Sequence, residues 1–242
     1  MKGFINYLKI AVLIILAMVF NVLPMILLQK QHDIPMVLNW GIGIFYLVIV
    51  GSVLIVLWRL YQAKQDTPIK QQKMRLVDWG YLALFWLIIR VIAIVSTLVN
   101  QLWSGQQVSA NDAAIHTLAR LIKGGFPLYT ALFVLVIAFI APIMEELVFR
   151  GFPMIDLFKG KSLKVAGLVT SLVFALPHAT NSVEFIMYSC MGIFLFVAYQ
   201  RRGNLKDAIL LHIFNNLIEV IRSHIIKSFG WMNCTPKVGQ KN

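Results

Sequence analysis

Charge is scarce in this chain, and acid is scarcer than base. Asp, Glu, Lys and Arg together make up 13% of the 242 residues, about half the share found in an ordinary soluble domain. Ten are acidic and 22 basic, so the net charge is +12. Cysteine is also rare. Cys190 stands inside an apolar run and Cys234 near the C-terminus, which argues against a disulfide framework and against a zinc ribbon. The sequence holds no internal repeat, no low-complexity tract and no H-E-x-x-H helix motif.

What replaces charge is apolar bulk. Hydrophobic residues account for 59% of the chain, with a mean hydropathy of +0.77. They form runs near the roughly 20 residues that cross a bilayer. Seven spans are predicted, at about Ile10–Leu28, Met36–Trp58, Trp79–Trp103, Leu128–Phe149, Val165–Ala179, Phe185–Tyr199 and Asp207–Ile226. The fold class is therefore all-α, a polytopic transmembrane helical bundle of about seven spans, within a range of six to eight. Residues 1–103 read as N-terminal transmembrane helices and 104–127 as a connection. Residues 128–226 read as a second transmembrane core, and 227–242 as a tail. The first run is longer than a signal-peptide core and lacks a small-x-small cleavage site, so it is expected to persist as a helix.

The basic residues explain themselves as topology signals. Lys and Arg flank the apolar runs, which favours a lipid bilayer as their partner and not nucleic acid. With the N-terminus inside, Lys2 and Lys9, the Arg59–Arg75 stretch, Arg150–Lys164 and Arg201–Lys206 all fall on one side. The expected location is the cell membrane, multi-pass, with a cytoplasmic N-terminus. Within Ser109–Lys123, Ile115, Leu118, Leu121 and Ile122 recur at helical spacing, which predicts a short helix lying at the interface.

Polar side chains inside spans are costly and face a cavity or a partner. Arg90 stands alone at the middle of span three and is expected to pair with a carboxylate or carbonyl of another span. The remaining ionisable groups concentrate in the C-terminal half. Span four ends in Glu145-Glu146-Leu147-Val148-Phe149-Arg150. Adjacent helical residues point about 100° apart, so the two carboxylates serve different ends. Glu146 and Arg150 are spaced i,i+4 and are predicted to pair, leaving Glu145 free for a water or a metal. Span five carries Phe174-Ala175-Leu176-Pro177-His178, and span seven His212-Ile213-Phe214-Asn215-Asn216. His212 and Asn216 share a helix face. Taken singly, each has a bland reading as a helix-end charge, a core histidine or an interhelical hydrogen bond. A hairpin of spans four and five turning near Lys161 returns Glu145 and His178 to similar depth. A carboxylate, two imidazoles and an amide converging there supply a base for water and donors for an oxyanion.

At these residues the chain resembles the CPBP family, the CAAX proteases and bacteriocin-processing enzymes also called Abi. The family pattern E-E-x-x-x-R, F-x-x-x-H and H-x-x-x-N is met by Glu145, Glu146 and Arg150, by Phe174 and His178, and by His212 and Asn216, in order. The resemblance runs from about Pro142 to Asn216 and marks residues 128–226 as a catalytic core of the CPBP type. It implies an intramembrane endopeptidase in which Glu145 and His178 activate water, His212 and Asn216 hold the oxyanion, and Glu146 and Arg150 keep the site in shape. The implied substrate is a hydrophobic or membrane-associated peptide. No cofactor is favoured, although Glu145, His178 and His212 also make a donor set for zinc with an open position. Small bacterial members serve bacteriocin self-immunity, and this compact chain has that bacterial character, so a prenylated substrate is not expected. The alternative is a non-catalytic membrane immunity protein or receptor that binds a peptide or partner. A transporter is disfavoured because no pair of broken helices or repeated halves is visible.

Overall fold

The computed structural model describes residues 2–65, 73–105, 125–159 and 161–228. Seven helices and no strands occur among them. They are α1 (Lys2–Lys30), α2 (Met36–Ala63), α3 (Leu76–Ser104), α4 (Pro127–Asp156), α5 (Leu163–Ala175), α6 (Ser182–Arg202) and α7 (Leu205–Ser228). The expected interfacial helix at Ser109–Lys123 and the expected tail lie outside the described residues, apart from the tail's first two positions, which end α7.

Five of the seven, α1, α2, α3, α4 and α6, are long and apolar enough to cross a membrane. The two others depart from the seven predicted spans for different reasons. Helix α5 has 13 residues, about 20 Å of rise against a hydrocarbon core near 30 Å. It was expected to reach Ala179 but stops at Ala175. Pro177 has no N–H for the carbonyl four residues back and its ring presses on it. The N–H groups of His178 and Ala179 both turn onto the Ala175 carbonyl instead, at 3.1 Å each. Helix α7 is long, but Asp207, His212, Asn215, Asn216 and Glu219 dilute its apolar surface.

Burial sorts the helices by role. In α4, 72% of the apolar window is buried, against 11% in α3, so α4 is the central post and α3 a lipid-facing stave. Phe4, Phe45, Val37, Leu102 and Trp103 are among the large apolar side chains left exposed, as suits helices whose solvent is lipid. Tyr46, Val50, Tyr129, Leu132 and Met144 belong to the core that joins α1 and α2 to the first half of α4. Phe85, Ile89, Phe149, Phe174 and Leu195 belong to another, joining α3, α5 and α6 to its second half.

The helix ends that share the α4 C-terminal side are fastened by ions. Asp156 receives Lys9 of α1 at 2.6 Å and Lys64, just after α2, at 2.5 Å. That hydrogen bond to Asp156 raises Lys64 above its ordinary range. Asp78 at the start of α3 meets Arg201 and Arg202 of α6 at 2.8 and 3.0 Å, and Arg202 also reaches Asp207 of α7 at 2.8 Å. Gly203 takes φ +64° between α6 and α7, the left-handed conformation glycine adopts without strain. At mid-bundle, Arg90 donates to Glu219 at 2.9 Å and to the Asn215 side-chain carbonyl. The expected cross-span partner of Arg90 thus comes from α7.

Candidate active site

Helix α4 is not regular where its carboxylates stand. Two wider π-helical turns, Val136–Ile140 and Leu147–Gly151, bracket Ala141–Glu146. Each comes just ahead of a proline, Pro142 or Pro153. A helical proline lacks the donor for the carbonyl four residues back and clashes with it. One extra residue in the preceding turn moves that carbonyl aside, and the Ala141 N–H bonds to Val136 O in the wider register. The next donor in that register would be Pro142 N, which has no hydrogen, so Ile137 O is left without a backbone partner. Asn216 fills the gap, its Nδ2 donating to Ile137 O at 3.0 Å. Such turns recur at functional sites in helices.

From this segment the two glutamates diverge. Glu146 is fully buried, and its Oε1 accepts from Arg150 at 3.0 Å and from His212 Nδ1 at 2.9 Å. Arg150 is fully buried as well. It donates to Gly192 O of α6 at 3.3 Å and lies 4.3 Å over the ring of Phe174. A buried guanidinium demands such company, since leaving it unpaired costs several kcal/mol. Gly192 lets α6 pack closely on α5, because a Cβ there would lie 2.9 Å from Ser171 Cα.

Glu145 faces the other way. Its Oε1 accepts from Asn21 Nδ2 of α1 at 2.7 Å. Its Oε2 lies 3.7 Å from His178 Nε2 and 3.8 Å from His212 Nε2. The tautomers follow from the partners on the other ring atoms. His178 Nδ1 is 2.8 Å from Phe174 O, a carbonyl that only accepts, so Nδ1 carries hydrogen. His212 Nδ1 is likewise bound to a carboxylate. In each neutral ring the lone pair is therefore on Nε2, and both lone pairs face the one carboxylate oxygen. Three acceptors so placed call for a water, a proton or a cation among them.

The structure thus brings Glu145, His178 and His212 to one point, and joins Glu146, Arg150 and His212 behind it. Asn216 lies on the same helix as His212 but spends one N–H on α4. His178 side-chain exposure is 21%, against 7% for Glu145 and 5% for His212, so the site opens on the His178 side. Sequence reading gave Phe174 no task of its own. Its ring stands 4.5 Å from His178, 5.8 Å from His212 and 5.5 Å from Phe149, as well as beneath Arg150. Asn21 was missed outright. The signal for it was present: between Lys9 and Gln29 it is the single polar side chain of α1.

Two imidazole nitrogens and a carboxylate oxygen suit zinc chemically, but bonds of about 2.0–2.2 Å in a tetrahedron set ligands roughly 3.3–3.5 Å apart. The observed 3.7 and 3.8 Å are wider. Among the described residues no group of three or more His, Cys, Asp and Glu is arranged to hold a metal ion. The donor set as placed does not fit zinc.

Comparison with known proteins falls on the same residues. Residues 127–218 match the Rce1-like family, described as type II CAAX prenyl endopeptidase Rce1-like. The chain is 27% identical over 226 residues to the membrane-embedded CAAX protease MroQ of Staphylococcus aureus, covering 86% of each. It is 26% identical over 167 residues to the UPF0177 protein YxdF of Lactococcus lactis, covering 68% of this chain and 86% of that one. No solved structure matches it significantly. The matched stretch contains all three signature motifs, and the likeness over 86% of the chain is to a membrane-embedded protease, which supports a membrane protease of the CPBP type.

Proposed function

We propose that this protein is an intramembrane endopeptidase that hydrolyses hydrophobic or membrane-associated peptides with water activated by Glu145 and His178. The observation that carries this reading is the convergence of Glu145 Oε2 with two imidazole Nε2 atoms whose Nδ1 positions are already tied. A water in that gap donates one hydrogen to Glu145 Oε2 and the other to His178 Nε2. It loses one proton to them as its oxygen attacks the peptide carbonyl carbon. The carbonyl electron pair moves onto oxygen. When the tetrahedral adduct collapses, the C–N bond breaks and the held proton passes to the leaving nitrogen, giving an acid and an amine.

The two histidines have different backing. His178 rests on a neutral carbonyl, as a free base requires. His212 rests on the Glu146 carboxylate, which compensates a positive charge when its Nε2 also carries hydrogen. That arrangement makes His212 the donor to the oxyanion, assisted by the second N–H of Asn216. Arg150 balances Glu146, so the dyad is not left with a buried surplus charge.

The test is reconstitution of the purified protein in lipid with a library of internally quenched, membrane-partitioning peptides. Wild type should cleave members of the library, a chelator should leave turnover standing, and Glu145→Gln should abolish it. Glu145→Gln with undiminished turnover would sink the assignment. Loss of zinc together with activity would replace the metal-free route. If bacteriocin self-immunity is the biological task, the same substitution should remove protection at normal membrane abundance.

A further inference from the structure

The three family motifs lie between Glu145 and Asn216, yet a hydrogen bond to the reacting carboxylate comes from outside the matched stretch. Asn21 Nδ2 of α1 lies 2.7 Å from Glu145 Oε1. We propose that Asn21 is a positioning residue for the water-activating carboxylate, so that α1 is part of the catalytic apparatus. This rests on the reading of Glu145 given above.

Three observations carry it. The first is selectivity in the sequence. An amide inside an apolar span needs a partner, and Asn21 stands alone between Lys9 and Gln29. Its Oδ1 is buried and finds no partner among the described residues, so the residue tolerates an unsatisfied acceptor while making this one bond. The second is geometry. With Oε1 held by Asn21, Oε2 is the oxygen left to face His178 and His212. Without that tether the carboxylate can rotate, and the fully buried Arg150 nearby would draw it toward Glu146. The third is the way α1 is locked at this level. Pro24 lies inside α1 and has no N–H to give Phe20 O. The Tyr46 hydroxyl of α2 donates to that carbonyl at 2.9 Å, which fixes the rotation of α1 one residue before Asn21.

The hydrogen bond holds the carboxylate with Oε2 turned to the water it deprotonates. Removing it should therefore slow turnover without weakening substrate binding.

The experiment compares wild type, Asn21→Leu, Asn21→Asp and Glu145→Gln in lipid, using the library peptide that wild type cleaves fastest. Asn21→Leu should lower kcat by about tenfold to a hundredfold and leave KM within about twofold. Asn21→Asp replaces the donor by a second carboxyl against Glu145 and should lower kcat at least as far, again with KM little changed. A thermal-stability cycle with Asn21→Leu, Glu145→Leu and the double variant supplies a readout without turnover. The two substitutions should be coupled, because each removes the same bond. Unchanged kcat in Asn21→Leu would overturn the proposal. So would a variant that loses stability while its folded fraction keeps the wild-type kcat, or an additive cycle. If Glu145→Gln itself retains turnover, the underlying reading of the site fails. If it is inactive while Asn21→Leu behaves as wild type, the positioning role alone fails.

Discussion

Glu146 is the side chain on which most of the buried charge depends. One oxygen serves both Arg150 and His212 at 3.0 and 2.9 Å, and all three groups are buried. Glu146→Gln keeps the shape and removes the charge, so Arg150 loses its counter-ion in a place water does not reach. Breaking such a pair costs about 3–5 kcal/mol. The expected outcome is lower thermal stability or membrane abundance together with loss of turnover, read by a melting assay and peptide hydrolysis on one preparation. If both are unchanged, the pairing has no energetic weight. This pair was legible from i,i+4 spacing, and the six proposed site residues were legible because ionisable or amide groups in apolar runs demand an explanation. The partners of His178 and His212 were not, since Phe174 O is a backbone atom and Glu146 is 66 residues from His212. Asn21 escaped because it belongs to none of the motifs and its partner lies 124 residues away.

At the scale of the element, α4 is shaped by its prolines. Pro142 and Pro153 are visible in sequence, but the π turns ahead of them are not. The wider register is stable where a neighbour supplies the missing donor, and Asn216 is 79 residues from Ile137. The early end of α5 has the same source in Pro177, which delivers His178 from a turn and not from a helix face. A double-mutant cycle tests this account. Asn216→Ala strips the donor from Ile137 O and should cost about 1–3 kcal/mol of stability in addition to any loss of turnover. Pro142→Ala restores a backbone N–H near that carbonyl. In the Pro142→Ala background the stability penalty of Asn216→Ala should therefore shrink, with a coupling of about 0.5–3 kcal/mol. Two penalties that simply add would mean that Asn216 does not serve the carbonyl Pro142 orphans.

For the molecule as a whole, apolar composition made the helical membrane bundle legible, and hydropathy placed the five long spans to within a few residues at most of their ends. It could not show that α5 stops short, nor that α1 would reach into a site whose motifs begin more than a hundred residues later. Chain direction now adds to the charge argument. Helix α1 starts, α2 ends, α3 starts, α4 ends, α6 ends and α7 starts on one side, and the Asp156 and Asp78 ion clusters tie those ends together. The exposed lysines Lys159, Lys161 and Lys164 add to the same side, whereas Lys30 and Asp33 lie at the α1–α2 turn on the other. Basic residues are retained in the cytoplasm, so the ion-clustered side is proposed to be cytoplasmic. Counting from Asp156, Glu145 then lies about 16 Å in from that side. In a background lacking Cys190 and Cys234, Gln65→Cys should react with an impermeant thiol reagent only after permeabilisation, and His32→Cys should react in intact cells. The reverse labelling pattern would invert the molecule and move substrate entry to the opposite face, because the His178 opening and the ion clusters are fixed relative to each other by the same helices.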